Sequence, residues 1–265
     1  MLEAEALAAR VQSLVKKVRR RVAAWVDDPS ERNTHDVRTA VRRLRSAIEL
    51  LPKRVRRRPR TVRFLGLCRE VFRACSALRD ADVLSAKIAS MPESIAEQLE
   101  ETVGEGRHGK LRDAHAAGTA LLGAKPPRVR PRDLDRERVL ARLAKVAGQE
   151  SRKVRTLLPT VIADEGRIEA LHTARKACKS LRYTYEIVGD DPSAPRMAWT
   201  RALQDVLGDL HDRDVMLAAL GAPPPATEVT RAMALERAER CAKHEELATF
   251  VRQTPDLLST IAPFP

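Results

Sequence analysis

Histidine and basic residues recur at helical spacing in two places along the chain. His35, Arg38, Arg42 and Arg45 form the first set, and His172, Arg175, Lys179 and Arg182 repeat its offsets. Wound on a helix at about 100° per residue, each set falls within an arc of about 80° and makes one row of positive charge. Like charges three or four residues apart cost an isolated helix about 0.2–0.5 kcal/mol per pair, so the rows do not serve helix stability. Successive turns lie about 5.4 Å apart, which suits an extended anion charged at regular intervals, and arginine offers forked donors to phosphate oxygens. The histidines add a donor whose charge responds near neutral pH. A linear phosphate polymer has the form that both rows fit.

Two carboxylate pairs follow the rows. Leu78-Arg-Asp80-Ala-Asp82-Val83 matches Leu210-His-Asp212-Arg-Asp214-Val215 in order and spacing. Asp-x-Asp can hold a divalent cation, but no glycine-rich phosphate loop accompanies either copy, and no metal is expected. Asp80, Asp82, Asp212 and Asp214 are instead expected at a bend or turn of their helices, where they orient the basic residues by charge-assisted hydrogen bonds or cap a helix segment. The alternative is that these carboxylates neutralise the rows outright, leaving nothing for a ligand.

The elements that position these groups read as helices throughout. Ala, Arg, Leu and Glu dominate, aromatics are 3% of the residues, and no run of alternating β-branched residues suggests a strand. Pro and Gly break the pattern, Pro159 among them, leaving eight helices at about 3-26, 31-51, 60-90, 93-122, 133-157, 167-188, 196-220 and 227-252. Behind the first row, Val37, Ala40, Val41, Leu44, Ala47, Ile48 and Leu51 make an apolar stripe; behind the second stand Ala177, Cys178, Leu181, Tyr185 and Val188. The two row segments, 35-49 and 172-186, are identical at six of fifteen positions without a gap, which marks a duplicated unit. The expectation is an all-α protein of two four-helix bundles, 1-124 and 133-265, related by internal pseudo-twofold duplication and joined by a linker at 125-132.

Charge singles out the first half. The chain carries 49 Lys+Arg against 36 Asp+Glu, and residues 10-79 alone hold 21 basic side chains against 6 acidic ones. An anionic partner is implied, met mainly by that half. Lys16, Lys17, Arg19, Arg20 and Arg21 on the first helix either widen the anion surface or form a solvated bundle face. Arg54, Arg56, Arg57 and Arg58 read equally as a phosphate patch or a solvated loop. Cys68, Cys75, Cys178 and Cys241 lack zinc or disulfide spacing and are read as buried reduced thiols.

With the row, the Asp pair and two further pieces on the page, a family resemblance is specific. The pattern His172-x-x-Arg-Lys-x-x-Lys-x-Leu-Arg-Tyr183, and Leu203-Gln-Asp-Val-Leu-Gly208-Asp-Leu-His-Asp212, together with the first-half copies, resembles the CHAD domain, the conserved histidine α-helical domain. The resemblance covers essentially the whole chain. It implies two four-helix bundles around a basic groove or pore, binding of inorganic polyphosphate, and a place at polyphosphate granules. It assigns the phosphate contacts to His35, Arg38, Arg42, Arg45, His172, Arg175, Lys179 and Arg182. Ser76-Ala77 stands where the second half has Gly208-Asp209, so the two sites need not be equivalent. Many family members carry a triphosphate-hydrolase-type domain, for which this chain leaves no residues.

Two other functions compete with polyphosphate binding. A nucleic-acid binder would use the same charge, but eight aromatics in 265 residues leave few stacking platforms and no DNA-reading motif is present, so specific nucleic-acid binding is not expected. A metal-dependent phosphohydrolase would need a third carboxylate, a nucleophile or an identifiable base. The expectation is a non-catalytic binder of polyphosphate or another phosphate-rich polyanion. No cofactor or membrane span is expected, and the opening MLEAEALAAR lacks a secretory pattern, which points to the cytoplasm.

Overall fold

Amphipathic stripes account for the order in which the helices pack. The computed structural model describes residues 4–89, 93–189, 194–221 and 227–255, and among these there are helices and connections but no strand. The chain divides into two units, Met1–Val139 and Leu140–Pro265. The first contains α1 (Ala4–Asp27), α2 (Glu31–Glu49), the single turn α3 (Lys53–Arg56), α4 (Pro59–Ile88) and α5 (Glu93–Gly123), followed by a 3₁₀ turn at Pro131–Asp133. The second holds most of α6 (Arg136–Ala163), then α7 (Ile168–Val188), α8 (Pro195–Leu220) and α9 (Thr227–Gln253).

In the first unit, α1 buries Leu7, Val11, Leu14, Val18, Val22 and Trp25 at spacings of three and four, and α2 buries its stripe from Val37 to Ile48. Phe64, Cys68, Val71, Cys75 and Leu78 of α4 continue the core at the same spacings. Ser30 caps α2, accepting from the Asn33 N–H, and Trp25 donates to the buried Thr34 hydroxyl at 2.8 Å, which ties α1 to the first turn of α2. At Gly118 of α5 a Cβ would lie 3.0 Å from Val26 Cγ2 and 3.4 Å from Val22 Cγ1, so glycine permits the close approach of α5 to α1. Arg19 donates to the Leu122 and Ala124 carbonyls, each at 2.9 Å, and satisfies the C-terminal end of α5. That gives one of the α1 cations a structural duty. A second, Arg21, pairs with Asp36 of α2 at 3.0 Å.

The segment read as a linker is held by the first unit. Gln12 reaches the Pro127 carbonyl at 3.3 Å, Arg58 forks onto the Asp133 carboxylate at 2.7 and 2.9 Å, and the Arg130 N–H caps the same carboxylate at 3.0 Å. Asp133 is consequently held well below the usual carboxylate range, by Arg58 first and the Arg130 N–H second. Arg56, from the same basic run, pairs with Glu49 at 3.3 Å.

The second unit closes around a core that takes Val154, Leu158 and Val161 from α6, Leu171, Cys178, Leu181 and Tyr185 from α7, Leu203, Leu207 and Leu210 from α8, and Leu247 from α9. Gly189, at φ 82°, ends α7 in the left-handed conformation that glycine adopts without strain. Three local expectations are corrected. Pro159 does not end α6, which runs on to Ala163: the proline sits near the helix end on an exposed face, with Arg155 exposed one turn back, while Leu158 and Val161 stay buried. No bend or turn interrupts α4 at Asp80-Ala-Asp82 or α8 at Asp212-Arg-Asp214, because Gly208 is helical and the apolar stripes continue on both sides. Cys241 is exposed, its thiol donating to a Glu165 carboxylate oxygen at 3.2 Å, whereas Cys68, Cys75 and Cys178 are buried, with thiols pushed up to about 12 by desolvation.

An almost wholly buried ion pair joins α8 to α9. Arg240 Nε donates to Asp214 Oδ1 at 2.5 Å, and its Nη2 donates to the Glu165 carbonyl at 2.7 Å. Removing Asp214 leaves the buried Arg240 guanidinium only the Glu165 carbonyl and, at 3.7 Å, the half-exposed Glu165 carboxylate. Asp214→Ala should therefore lower unfolding stability by about 3 kcal/mol, the low end of the cost of breaking a buried pair. Asp212→Ala, at an exposed position, should change it by less than about 0.5 kcal/mol. Urea melts of both variants check the difference.

Candidate functional site

The row on α2 stands against α4, and α4 adds more cations to it. Arg45, at one end, is exposed, yet its guanidinium pKa is lowered, by desolvation first and then by Arg69, Arg42 and Arg73 around it, with Cys68 opposing. In the middle, the Arg42 guanidinium lies 4.9 Å and that of Arg38 6.0 Å from the centre of the Phe72 ring. A ring so placed attracts both cations to one face and limits the directions in which their N–H groups point. At the other end His35 makes a 3.4 Å contact between its Nε2 and the Thr39 hydroxyl, with Arg79 nearby and paired to Glu31. The first site is thus a face shared by α2 and α4.

Arg69, Phe72 and Arg73 were not among the expected site residues. Their signal was in the chain: Arg69, Arg73 and, one turn on, Ser76 lie four and three residues apart on the polar side of the stripe Cys68, Val71, Cys75 and Leu78.

The second row has a different setting. The His172 and His211 rings meet edge to face with centroids 4.2 Å apart. Arg182 lies 4.8 Å from the Tyr183 ring centre and 3.9 Å from Glu186 one turn on. Aligning α8 on α4 through the Asp-x-Asp motif sets Arg201 at the place of Arg69, Gln204 at Phe72, Asp205 at Arg73 and His211 at Arg79. One cation is kept, one is replaced by a carboxylate and one by a histidine, and an amide stands where the aromatic platform was. The rows match, but their backing helices differ in charge.

Both histidines are held below 6.5. For His35 desolvation leads, Asp36 opposes, and Arg38, Arg79 and Arg42 add to the lowering; for His172 desolvation leads, then Lys176 and Arg175, with Glu169 and Asp214 opposing. Each ring is thereby shifted toward its neutral form, and an arriving anion would oppose that shift.

The four aspartates divide into two kinds. Asp80 and Asp212 are exposed on α4 and α8, while Asp82 is half-buried and Asp214 is committed to Arg240 on α9. Asp214 thereby serves the packing of α8 on α9, and its field still reaches His172. Among the described residues there is no group of three or more His, Cys, Asp or Glu disposed to hold a metal ion, and no helix long and apolar enough to cross a membrane.

The fold is similar to that of known structures. One is the crystal structure of the CHAD domain from the plant Ricinus communis, at 20% identity and a TM-score of 0.58, covering 98% of this chain and 92% of that one. Another is PptA from Streptomyces chartreusis, at 14% identity and a TM-score of 0.57, covering 96% of this chain and 99% of that one. No curated protein matches by sequence. The family model for the CHAD domain matches residues 9–221, a span that contains both histidine rows, both Asp pairs and the helices that carry them, and the chain belongs to that family.

Proposed function

We propose that the protein binds inorganic polyphosphate without catalysing its conversion, through the faces built on His35, Arg38, Arg42 and Arg45 and on His172, Arg175, Lys179 and Arg182, and that such binding localises it to polyphosphate granules in the cytoplasm. The observation that carries this reading is the packing of Arg38 and Arg42 on Phe72 beside Arg45, Arg69 and Arg73: a line of guanidinium groups along one helix pair. Such a line matches charges repeating along a flexible chain, and each guanidinium can donate two bonds to phosphate oxygens. Phe72 is half-buried beneath arginines, so it offers little ring face to a nucleobase, which disfavours single-stranded nucleic acid. The asymmetry between α4 and α8 makes the first unit the stronger binder.

Polyphosphate should bind more tightly than single-stranded DNA of equal charge, and competition at fixed salt checks it. DNA displacing polyphosphate at equal charge concentration would give the site to nucleic acid. Arg42→Glu should weaken polyphosphate binding more than Lys179→Glu, and the double variant should weaken it most, while unliganded stability holds or rises slightly as repulsion along the helices is relieved. A large loss of unliganded stability with ligand-induced stabilisation intact would show that these cations are internally paired.

The lowered histidine pKa values set the pH dependence. For the unliganded protein, both states carry neutral histidine above about pH 6.5, so the groups contribute nothing there. Below that pH the unfolded chain takes up protons before the folded one, and stability falls as pH drops through the folded values. Bound phosphate favours the charged ring, so binding should tighten over the same interval. His35→Gln with His172→Gln should flatten both curves, measured by thermal melts and titration between pH 7.5 and about 5; an unchanged binding profile would assign the histidines to structure alone.

A further inference from the structure

A second concentration of arginine lies away from the α2 face, where the chain enters α4 and residues 128–133 fold back beside it. Arg58, Arg60, Arg128, Arg130 and Arg132 line an open cavity of about 320 Å³, with Asp133 the one carboxylate in its lining. That carboxylate is already engaged: both its oxygens accept from Arg58, and one also accepts from the Arg130 N–H. The Arg58 guanidinium, bound in turn to Asp133 and within 3.4 Å of the Arg128 carbonyl, fixes the wall of the cavity. The side chains of Arg60, Arg128, Arg130 and Arg132 are exposed around it with no other acidic group in the lining. The neighbouring hollow continues the same charge with Arg63 and Lys125.

Cations converging on a concavity repel one another more than cations spread along a helix, because each faces several others. The first turn of α4 adds to the imbalance, since it contains no acidic residue and its backbone already presents the positive end of the helix dipole. Arg58 holds the segment through Asp133, while the buried side of the segment is carried by Val55, Thr61, Phe64, Val129 and Leu134 and does not call for the other four arginines. A compact multiply charged anion would relieve it, and forked guanidinium donors select tetrahedral oxyanions with several oxygens.

We propose that this cavity is a separate binding site for a short phosphoanhydride chain, held by Arg60, Arg128, Arg130 and Arg132 against the wall that Arg58 and Asp133 form. The concave shape suits a compact oligophosphate, whereas the α2 face suits an extended one. Arg60 and Arg69 are nine residues apart on α4, about 13 Å along the helix, farther than a three-phosphate chain reaches, so a short ligand occupies one site at a time. The proposal concerns residues outside the polyphosphate rows and does not need them to bind.

Isothermal titration of the full chain with tripolyphosphate tests it, on the parent, on R60E/R130E and on R42E/R69E. Each variant leaves Arg58 and Asp133 in place. Loss of even one charge-assisted contact is worth about a factor of ten, so R60E/R130E should weaken tripolyphosphate binding at least about tenfold, and R42E/R69E should leave its tightest phase unchanged. R60A/R130A should weaken it in the same direction, and unliganded melting of all variants reports whether the fold is kept. Absence of tripolyphosphate binding to the parent, or binding that survives R60E/R130E and is lost in R42E/R69E, overturns the proposal. A parallel titration with long-chain polyphosphate separates the two readings, since retention of long-chain binding by R42E/R69E counts against the α2 face and leaves the cavity standing.

Discussion

Each helix that carries a basic row is held by the apolar stripe on its opposite side, and the rest of the arrangement depends on that division. Burying one Val, Leu or Ile side chain contributes about 1.5–3 kcal/mol, while each like-charge pair on the polar side costs only a few tenths. Val37, Val41, Leu44 and Ile48 therefore outweigh the repulsion among Arg38, Arg42 and Arg45 several times over. Packing against α4 then brings Arg69 and Arg73 beside Arg45, which the isolated helix does not do. The core thus sustains a density of positive charge that the cations themselves oppose, and the guanidinium groups an anion would meet are already gathered.

The two rows repeat one sequence pattern, and local pairing explains how their settings differ. In the second unit carboxylates return to the polar side: Glu186 approaches Arg182, Asp209 lies 3.5 Å from Lys243, and Arg213 pairs with Glu236 and Glu239. In the first unit Asp36 pairs with Arg21 and Glu31 with Arg79, and Arg42, Arg69 and Arg73 are met by an aromatic ring or by other cations. The excess of basic over acidic residues between positions 10 and 79 is the sequence image of this difference.

What could be read from the chain alone follows from what a helical period encodes. Positions three and four apart give the rows, the stripe behind them and the caps, because those relations lie within one helix. The neighbours of Arg42 lie in another helix, and Phe72 becomes its platform only through the register of α2 on α4, which no single-helix pattern states. Pro159 does not stop α6 because a proline ends a helix only when the lost bond and the ring clash cannot be absorbed, and here it stands within about a turn of the helix end on an exposed face. Asp214 was misassigned in part for the same reason as Phe72 was missed: its partner Arg240 comes from α9, which carries no repeat signal. The run 125–132 reads as a linker from its prolines and charges, yet Asp133 binds Arg58 and draws the segment onto α4.

Placement of the cations, rather than their number, is what separates this surface from an ordinary basic one. A lysine-rich face would present flexible point charges that any polyanion could satisfy, with affinity set by ionic strength. Here Arg38 and Arg42 rest against one ring, Arg45 is crowded by two arginines of the adjoining helix, and desolvation shifts His35 toward its neutral form. Planar guanidinium groups so placed favour oxygens spaced to receive forks, and disfavour a partner whose charges are separated by bulky bases. A phosphate chain meets that demand at every unit, with no side group to keep its oxygens away from the helix.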